Sequence, residues 1–256
     1  MDSYLIQITG EILRYNDTDG KPMVTKILDS AGQKGTGKWT VVSALEHGVP
    51  LSLIGESVFA RFISSMKKER VVAAPLFGNP AKSPIKDKKQ FVDDIRKALY
   101  ASKIVSYAQG FNLLRNAATE YKWDLNYGEI AMIWRGGCII RSAFLNKIYE
   151  AFKREPGLAN LILDGYFSQI LRENNESWRR IVSGAAKDGI PVPAMSAALS
   201  WFDSYRSEWL PANLLQAQRD YFGAHTYQRV DKPEGEFFHT NWTGRGGDTA
   251  SSTYNA

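Results

Sequence analysis

Apolar residues recur at helical spacing along most of the chain, and no segment longer than a few residues alternates as a β-strand does. The longest such pattern covers residues 87–121, where a broad apolar stripe predicts a helix buried on most sides, with Gly110 as the place for a bend. Other helices are predicted at 3–15, 22–30, 39–47, 51–66, 127–134, 138–152, 159–167, 168–187, 194–205 and 211–222. The pattern therefore predicts an all-α fold built as one large multi-helix domain.

Proline and glycine mark the expected connections between these helices. Residues 71–90 contain three prolines and a glycine, which predict a loop. The last segment is rich in Gly, Ser and Thr, yet it carries the aromatic residues Phe237, Phe238, Trp242 and Tyr254. Such a segment cannot build its own core, but it can become ordered by placing its aromatic side chains on another surface. We therefore expect a helical domain over residues 1–227 and an extended C-terminal tail over 228–256.

Two parts of the chain share a pattern. Residues 39–50 contain Trp, Val-Ser and Gly-Val-Pro in that order, and residues 178–191 contain Trp, Val-Ser and Gly-Ile-Pro. The offset is about 140 residues, and self-similarity of this kind is typical of a duplicated helical unit. We therefore predict an internal duplication within the helical domain.

The composition limits the classes of partner and location. The 256 residues include 32 basic and 27 acidic side chains, and this mild excess of +5, without a basic tract, favours small anions over nucleic acid. No apolar run approaches the length needed to cross a bilayer, so no membrane partner is expected. Cys138 is the only cysteine, which excludes an internal disulfide and suits a reducing compartment. Because the N-terminus lacks the basic charge of a signal peptide, we expect a cytoplasmic protein.

The segment Gly32–Trp39 holds three glycines and two lysines within eight residues. Glycine lets the backbone turn with its N–H groups exposed, and a lysine beside them completes a cradle for a phosphate or carboxylate. The spacing fits a P-loop except at Trp39, where Ser or Thr would hold Mg²⁺, and the charged segment before it does not resemble a buried strand. On these residues alone, Lys34 and Lys38 are equal candidates, and a plain connector between two helices is the simpler hypothesis.

Other kinds of functional site are not indicated by the sequence. The histidines are His47, His225 and His239, and their spacing does not fit a metal site, so no metal is expected. Cys138 is predicted to be a buried structural thiol packed within a helix. No G-x-G-x-x-G motif follows a predicted strand, so the chain shows no dinucleotide-binding fingerprint.

Five segments of the sequence stand out, namely DSAGQKGTGKWT at 29–40, IGESVFAR at 54–61, ALYASKIVSYAQGF at 98–111, WRGGCIIRS at 134–142 and LPANLLQAQRDYFGAHT at 210–226. They resemble segments of the 6-phosphogluconate dehydrogenase family, the decarboxylating enzymes of the pentose phosphate pathway. The match covers essentially the whole chain in order. The similarity is to the C-terminal helical part of the family protein, which implies that the NADP-binding Rossmann domain is missing and that the chain begins by truncation.

The resemblance implies a reaction and a division of labour within the enzyme. Family members oxidise C3 of 6-phosphogluconate with NADP and then release CO₂ to give ribulose 5-phosphate, with a lysine as base and a glutamate as acid. Both groups belong to a motif upstream of the helix that opens this chain. The resemblance therefore implies that this chain has no catalytic residue, and that alone it neither binds NADP tightly nor oxidises the substrate.

The resemblance also assigns five residues to the phosphate of 6-phosphogluconate. Lys34 and Thr36 match the phosphate-binding lysine and threonine of the glycine-rich loop, and Arg61 matches an arginine on the following helix. Arg219 and His225 match an arginine and a histidine that reach into the site of the neighbouring subunit. It further implies a homodimer in which the C-terminal tail packs on the second subunit.

Two interpretations stay open, besides a different phosphate-binding helical protein that shares the loop alone. The chain is the substrate-binding and dimerisation part of an NADP-dependent 6-phosphogluconate dehydrogenase, or it is a non-catalytic helical dimerisation module that retains a sugar-phosphate pocket. The coding DNA upstream of Met1 distinguishes these two, because an open frame for a Rossmann domain selects the first.

Overall fold

The computed structural model describes residues 3–32 and 34–244, and these are predominantly helical. The α-helices in these ranges are α1 (Tyr4–Arg14), α2 (Thr36–Glu46), α3 (Ser52–Ser65), α4 (Lys67–Phe77), α5 (Lys88–Tyr121), α6 (Tyr127–Ile133), α7 (Leu145–Arg154), α8 (Gly165–Lys187), α9 (Pro193–Tyr205) and α10 (Ala212–Gly223). The same ranges contain two 3₁₀ helices, Met23–Lys26 and Leu161–Leu163. They also contain two strands, β1 (Tyr227–Gln228) and β2 (Phe237–Phe238). The predicted all-α fold class is confirmed.

The chain divides into two compact units, Met1–Phe202 and Asp203–Ala256. The first contains α1 to α8 and most of α9, and the second contains α10, β1 and β2. The sequence analysis expected the tail that packs on a partner subunit to begin at residue 228, and this boundary stays a prediction. Within the described ranges, none of the helices combines the length and the apolar character that crossing a bilayer requires.

Helix α5 is the centre of the first unit. Asp87 caps it by accepting a hydrogen bond from the backbone N–H of Gln90 at 2.9 Å, and the helix runs without interruption through Gly110 over its 34 residues. The bend at Gly110 stays a prediction. Five apolar α5 residues are completely buried, namely Ala98, Ala101, Ile104, Val105 and Ala108. Three of these are alanines, whose small side chains allow α8 to pack closely along α5. Trp178 and Phe167 on α8 are completely buried as well.

An ion pair connects α5 to α8. Arg180 donates from Nε and Nη2 to the two carboxylate oxygens of Asp94, at 2.9 and 2.7 Å. Gln90 donates a third hydrogen bond to this carboxylate at 2.9 Å. Asp94 is buried, and the bonds from the Arg180 guanidinium hold the pKa of its carboxyl well below the usual range. The two central helices are therefore joined by a charged contact as well as by apolar packing.

The predicted loop at 71–90 is wrong over its first part, because α4 extends to Phe77. Pro75 lies inside α4, two residues before its end, where the missing proline N–H removes a single hydrogen bond from the last turn. Gly78 then follows the helix with a φ of 64°, a conformation that favours glycine. A proline in the last turn of a helix therefore does not prevent that helix from forming.

The predicted helix at 138–152 starts too early, because residues 135–144 form turns and α7 begins at Leu145. Gly137 has a φ of 82°, which is incompatible with a continuous helix. The backbone of this segment also bonds to the N-terminal helix, since the Tyr4 N–H donates to the Arg141 carbonyl at 3.3 Å. Cys138 therefore lies in a turn and is half-buried, whereas the sequence predicted a buried thiol in a helix.

Two predicted helices have different boundaries from those expected. Of residues 22–30, only Met23–Lys26 is helical, as a 3₁₀ turn. The predicted break after residue 167 lies instead at Asp164, whose side chain caps α8 by accepting from the Tyr166 N–H at 3.0 Å. The second boundary is set by the Asp164 side chain, which apolar spacing does not reveal.

Residues 227–244 are ordered by contacts within their own unit. Strands β1 and β2 pair antiparallel, with Tyr227 opposite Phe238. Trp242 donates from Nε1 to Asp220 on α10 at 2.8 Å. Tyr254, which the sequence analysis named as an aromatic anchor, lies outside the described residues. The packing of the tail on a second subunit stays a prediction.

Candidate functional site

The glycine-rich loop ends at the start of α2. Gly35 is the N-cap residue with a φ of 119°, a left-handed conformation that favours glycine. Lys34 precedes it, Thr36 is the first residue of α2, and both are exposed. Because glycine has no side chain, the N-cap supplies no capping oxygen, and the first N–H groups of α2 can serve an anion. The loop thus places a lysine and a hydroxyl at the positive end of a helix.

Arg61 lies on α3 and reaches back to this loop. Its Nη2 donates to the main-chain carbonyl oxygen of Gly32. One turn further along α3, the hydroxyl of Ser64 accepts from the Ala31 N–H at 2.9 Å. Helix α3 therefore brings Arg61 to the loop that contains Lys34 and Thr36. Their binding of phosphate stays a prediction.

Asp29 attaches the first part of the loop to α4. Its carboxylate accepts from Lys67 Nζ at 2.6 Å and from Arg70 Nη1 at 3.1 Å, and Arg70 Nη2 donates to its main-chain oxygen at 2.9 Å. The bonds from Lys67 and then Arg70 lower the pKa of the Asp29 carboxyl to about 2. The sequence analysis missed this contact. No local sequence pattern connects Asp29 to Lys67 and Arg70, which follow it in the chain by 38 and 41 positions.

Arg219 and His225 lie in the second unit. Arg219 is in α10, four residues before its end at Gly223, and its Nη1 donates to Gln216 at 3.3 Å. His225 follows Ala224, and its ring lies edge-on to the Phe222 ring with the centroids 5.8 Å apart. The helix predicted over 211–222 ends at Gly223, and Ala224 after it adopts the left-handed conformation.

Asp220, next to Arg219 in α10, is completely buried. Its carboxylate accepts from the backbone N–H groups of Thr226 at 3.1 Å and Thr240 at 3.0 Å. It also accepts from Trp242 Nε1 at 2.8 Å, and His239 Nδ1 lies 2.9 Å away. Burial alone raises the pKa of this carboxyl, but the surrounding donors outweigh it and the pKa is lowered. The sequence analysis did not identify Asp220, which carries no motif of its own.

The other histidines have partners that account for them. His47 Nδ1 lies 2.6 Å from Glu120 Oε2, and its ring packs edge-on against Tyr121. In the part of the chain that the structure describes, no three His, Cys, Asp or Glu side chains are grouped as metal ligands would be.

A cavity of about 740 Å³ lies in the first unit among α1, α3, α5 and the start of α9. Its lining is largely apolar and includes Leu53, Leu99 and Tyr107. Lys34, Thr36 and Arg61 do not line it. The cavity is therefore separate from the candidate anion site.

A family model described as the C-terminal domain of 6-phosphogluconate dehydrogenase matches residues 1–242. The chain belongs to this family. Decarboxylating 6-phosphogluconate dehydrogenase from Mus musculus is 62% identical over 257 residues, and the protein of that name from Haemophilus ducreyi is 58% identical over 255 residues. The match to the mouse protein covers 100% of this chain and 53% of the relative, and the match to the bacterial one covers 99% and 52%.

A comparison with solved structures points to the same family. A Plasmodium falciparum 6-phosphogluconate dehydrogenase superimposes with a TM-score of 0.88 at 46% identity, over 94% of this chain and 52% of that one. It was determined in its apo form, with its cofactor NADP⁺ and with its substrate 6-phosphogluconate. The chain therefore spans about half the length of these relatives. A Sus scrofa relative, 60% identical, is covered over 100% of its length.

Proposed function

We propose that this chain forms the substrate-binding and dimerisation part of an NADP-dependent 6-phosphogluconate dehydrogenase, which converts 6-phosphogluconate to ribulose 5-phosphate in the pentose phosphate pathway. The observation that carries the proposal is the hydrogen bond from Arg61 to Gly32, which brings an arginine to the loop that holds Lys34. The single cysteine supports a cytoplasmic location.

The substrate phosphate is a dianion, and the loop offers three kinds of donor for it. Lys34 supplies a point charge, Thr36 a hydroxyl, and the start of α2 its backbone N–H groups. Arg61 has five N–H donors in a planar fork, so its bond to Gly32 leaves other donors for phosphate oxygens. Binding of the phosphate fixes one end of the substrate, and this restricts the orientation of the reacting carbon.

We assign Arg219 and His225 to the phosphate site of a second subunit. Helix α10, which carries Arg219, exposes the large apolar side chains Leu214, Leu215, Tyr221 and Phe222, each at least 60% exposed. Apolar residues of this size, exposed side by side on one helix, are typical of an interface. A homodimer that buries α10 places Arg219 and His225 at the boundary with its partner.

NADP binding and the acid and base groups of the reaction are assigned to the half of the enzyme that precedes this domain in the relatives. In the described residues each strand has two residues, and a dinucleotide-binding βαβ unit needs longer, parallel strands. These residues do not fit NADP by themselves. The contribution of this chain is therefore confined to binding and orienting the substrate.

The test joins this chain to the N-terminal half of the mouse relative and measures NADPH formation from 6-phosphogluconate. We expect activity from the fusion and none from the chain alone. In the fusion, Lys34→Ala should raise the KM for 6-phosphogluconate about tenfold, because a charge-assisted bond to the phosphate is lost. Lys38→Ala is the matched control, since Lys38 lies in the same glycine-rich segment, in the first turn of α2, and the resemblance gives it no role.

The outcomes separate the two interpretations. A fusion that folds and dimerises but forms no NADPH would favour the non-catalytic dimerisation module. NADPH formation by the chain alone would contradict the assignment of NADP to the other half. Equal effects of Lys34→Ala and Lys38→Ala on KM would show that the loop acts through its total charge, and would contradict the specific role of Lys34.

A further inference from the structure

We propose that Asp220 is a positioning residue that fixes His225 for phosphate binding. The inference rests on the proposed function for the identity of the ligand, and on the geometry of α10 and the residues after it for the role of Asp220. Asp220 is completely buried, so its carboxylate cannot itself touch a phosphate. Any effect of Asp220 on the site must pass through the residues that it holds.

Two hydrogen bonds to Asp220 flank His225 on either side. The Ala224 N–H donates to the main-chain oxygen of Asp220 at 2.9 Å, and the Thr226 N–H donates to its Oδ1 at 3.1 Å. His225 is the single residue between these two N–H groups. Both ends of its peptide segment are therefore tied to one residue of α10, which sets the direction in which the imidazole leaves the backbone.

The backbone on both sides of His225 is unusual. Ala224 has a φ of 48° and Thr226 a φ of 61°, a region that L-residues with a Cβ seldom occupy. For a β-branched residue such as Thr226 this conformation is strained, and it persists where surrounding bonds over-determine it. The bonds to Asp220 supply that constraint. Without them, the segment is expected to relax and to move the imidazole.

A carboxylate is required at this position because of the number of donors around it. Four groups point at its two oxygens: the N–H groups of Thr226 and Thr240, Trp242 Nε1 and His239 Nδ1. An asparagine would direct its own NH₂ group at some of these donors. A buried donor without an acceptor is costly, and the segment would rearrange to avoid it.

The test measures KM and kcat for 6-phosphogluconate in the fusion enzyme with Asp220→Asn, Trp242→Phe and His225→Ala. Trp242→Phe removes a hydrogen bond to the same carboxylate but leaves both bonds that flank His225. We expect Asp220→Asn to raise KM about tenfold with kcat changed less than about threefold, and Trp242→Phe to leave KM within about twofold. If Asp220 served only to hold the residues after α10 in place, Asp220→Asn and Trp242→Phe should change KM equally. That result would overturn the proposal.

A double-mutant cycle tests whether Asp220 acts through His225. If it does, Asp220→Asn should add no further increase in KM once His225 is alanine. Full additivity of the two increases would overturn the proposal. If Asp220→Asn does not fold, as judged by its melting temperature, Asp220→Glu keeps the charge and displaces the carboxylate, and the same criteria apply to it.

The two levels of inference fail differently. If His225→Ala leaves KM unchanged, the phosphate role of His225 is wrong, and the positioning role fails with it. If His225→Ala raises KM while the folded Asp220 variants do not, the proposed function stands and the role of Asp220 alone is overturned.

Discussion

Gly48 and Gly189 follow two helices with nearly the same backbone angle, φ values of 61° and 62°, 141 residues apart. Their hydrogen bonds match as well. The Gly48 N–H donates to the Leu45 carbonyl, and the Gly189 N–H donates to that of Ala186. Helices α3 and α9 each begin four residues after the glycine. This correspondence supports the predicted internal duplication with a geometry that the sequence pattern alone did not supply.

The two glycines provide a matched pair of substitutions. Gly48→Ala adds a Cβ with nothing within 4 Å, so its cost is the left-handed conformation, about 1 kcal/mol. At Gly189 the added Cβ would lie 2.7 Å from Pro80 Cδ, on a rigid ring. We expect Gly189→Ala to lower the free energy of unfolding by about 1–3 kcal/mol more than Gly48→Ala does. Urea unfolding of the two variants measures the difference, and equal values would contradict the expected clash.

Helix existence could be predicted from sequence because it depends on local spacing. The long apolar stripe of α5 illustrates this. What could not be predicted depends on distant partners or on single residues. The turn at 135–144 is tied to the N-terminal helix by the bond from Tyr4 to Arg141, and α4 extends past Pro75 because only its last turn is affected. Apolar periodicity contains neither kind of information.

The ion pair between Asp94 and Arg180 gives a prediction for stability and its pH dependence. Asp94→Asn should lower the free energy of unfolding by about 2 kcal/mol at pH 7. It removes the charge of a buried carboxylate that accepts three hydrogen bonds, although the Arg180 side chain is half exposed. Asp93→Asn is the control and should have little effect, because Asp93 is partly exposed and its pairs with Arg96 and Lys97 are screened by solvent.

The sign of the pH effect follows from the lowered pKa of Asp94. A carboxyl with a lower pKa in the folded state stabilises the fold above its unfolded pKa, near 3.8, and loses this contribution as the pH falls below that value. The difference between the wild type and Asp94→Asn should therefore be constant from pH 7 to about 5 and shrink below about pH 4. A difference that grows on acidification would contradict this assignment.

Arg61→Lys tests the planar fork of the arginine. Lysine keeps the charge, but it cannot bond to Gly32 and also donate two parallel hydrogen bonds to a phosphate. The KM of the fusion enzyme for 6-phosphogluconate should therefore rise about tenfold. Arg96→Lys, on the exposed face of α5, is the control and should have no effect. An unchanged KM in Arg61→Lys would count against the proposed role of Arg61.

The candidate site was predictable to the extent that it resembles a family motif. Lys34, Thr36 and Arg61 come from that resemblance, and the residues alone did not separate Lys34 from Lys38. Asp29 and Asp220 were missed for a physical reason. Each works through partners on other elements, Lys67 for Asp29 and Trp242 for Asp220, which lie 38 and 22 positions away. The fold is needed to bring such pairs together.

The tail offers a prediction about assembly. Deletion of residues 231–256 should weaken dimerisation, because it removes the aromatic residues Phe237, Phe238 and Trp242. Deletion of 245–256 retains these residues and the bonds of Asp220 to Thr240 and Trp242, so it should weaken dimerisation less. Sedimentation velocity over a concentration series measures both. If the 231–256 deletion dimerises as tightly as the intact chain, the tail does not contribute to the interface.

A mixed dimer tests whether the phosphate site is shared between subunits. Subunits of the fusion enzyme with Arg61→Ala are combined with subunits carrying Arg219→Ala, and each parent homodimer has two defective sites. If Arg219 completes the partner's site, each mixed dimer has one site with both defects and one with neither. The mixed dimers should then recover about half of the wild-type activity, because the two sites of a twofold dimer are equivalent.

The control for this experiment is the pair Arg61→Ala and Lys34→Ala. Lys34 and Arg61 lie on one subunit, and Arg61 on α3 contacts the loop that holds Lys34 through the main-chain carbonyl of Gly32. The two residues therefore belong to the same proposed site. In their mixed dimer every site carries one defect, so no activity should return. Differently tagged subunits allow the mixed dimers to be purified before the assay. Purified Arg61→Ala and Arg219→Ala mixed dimers that show no recovery would exclude a shared site and place Arg219 in the site of its own subunit.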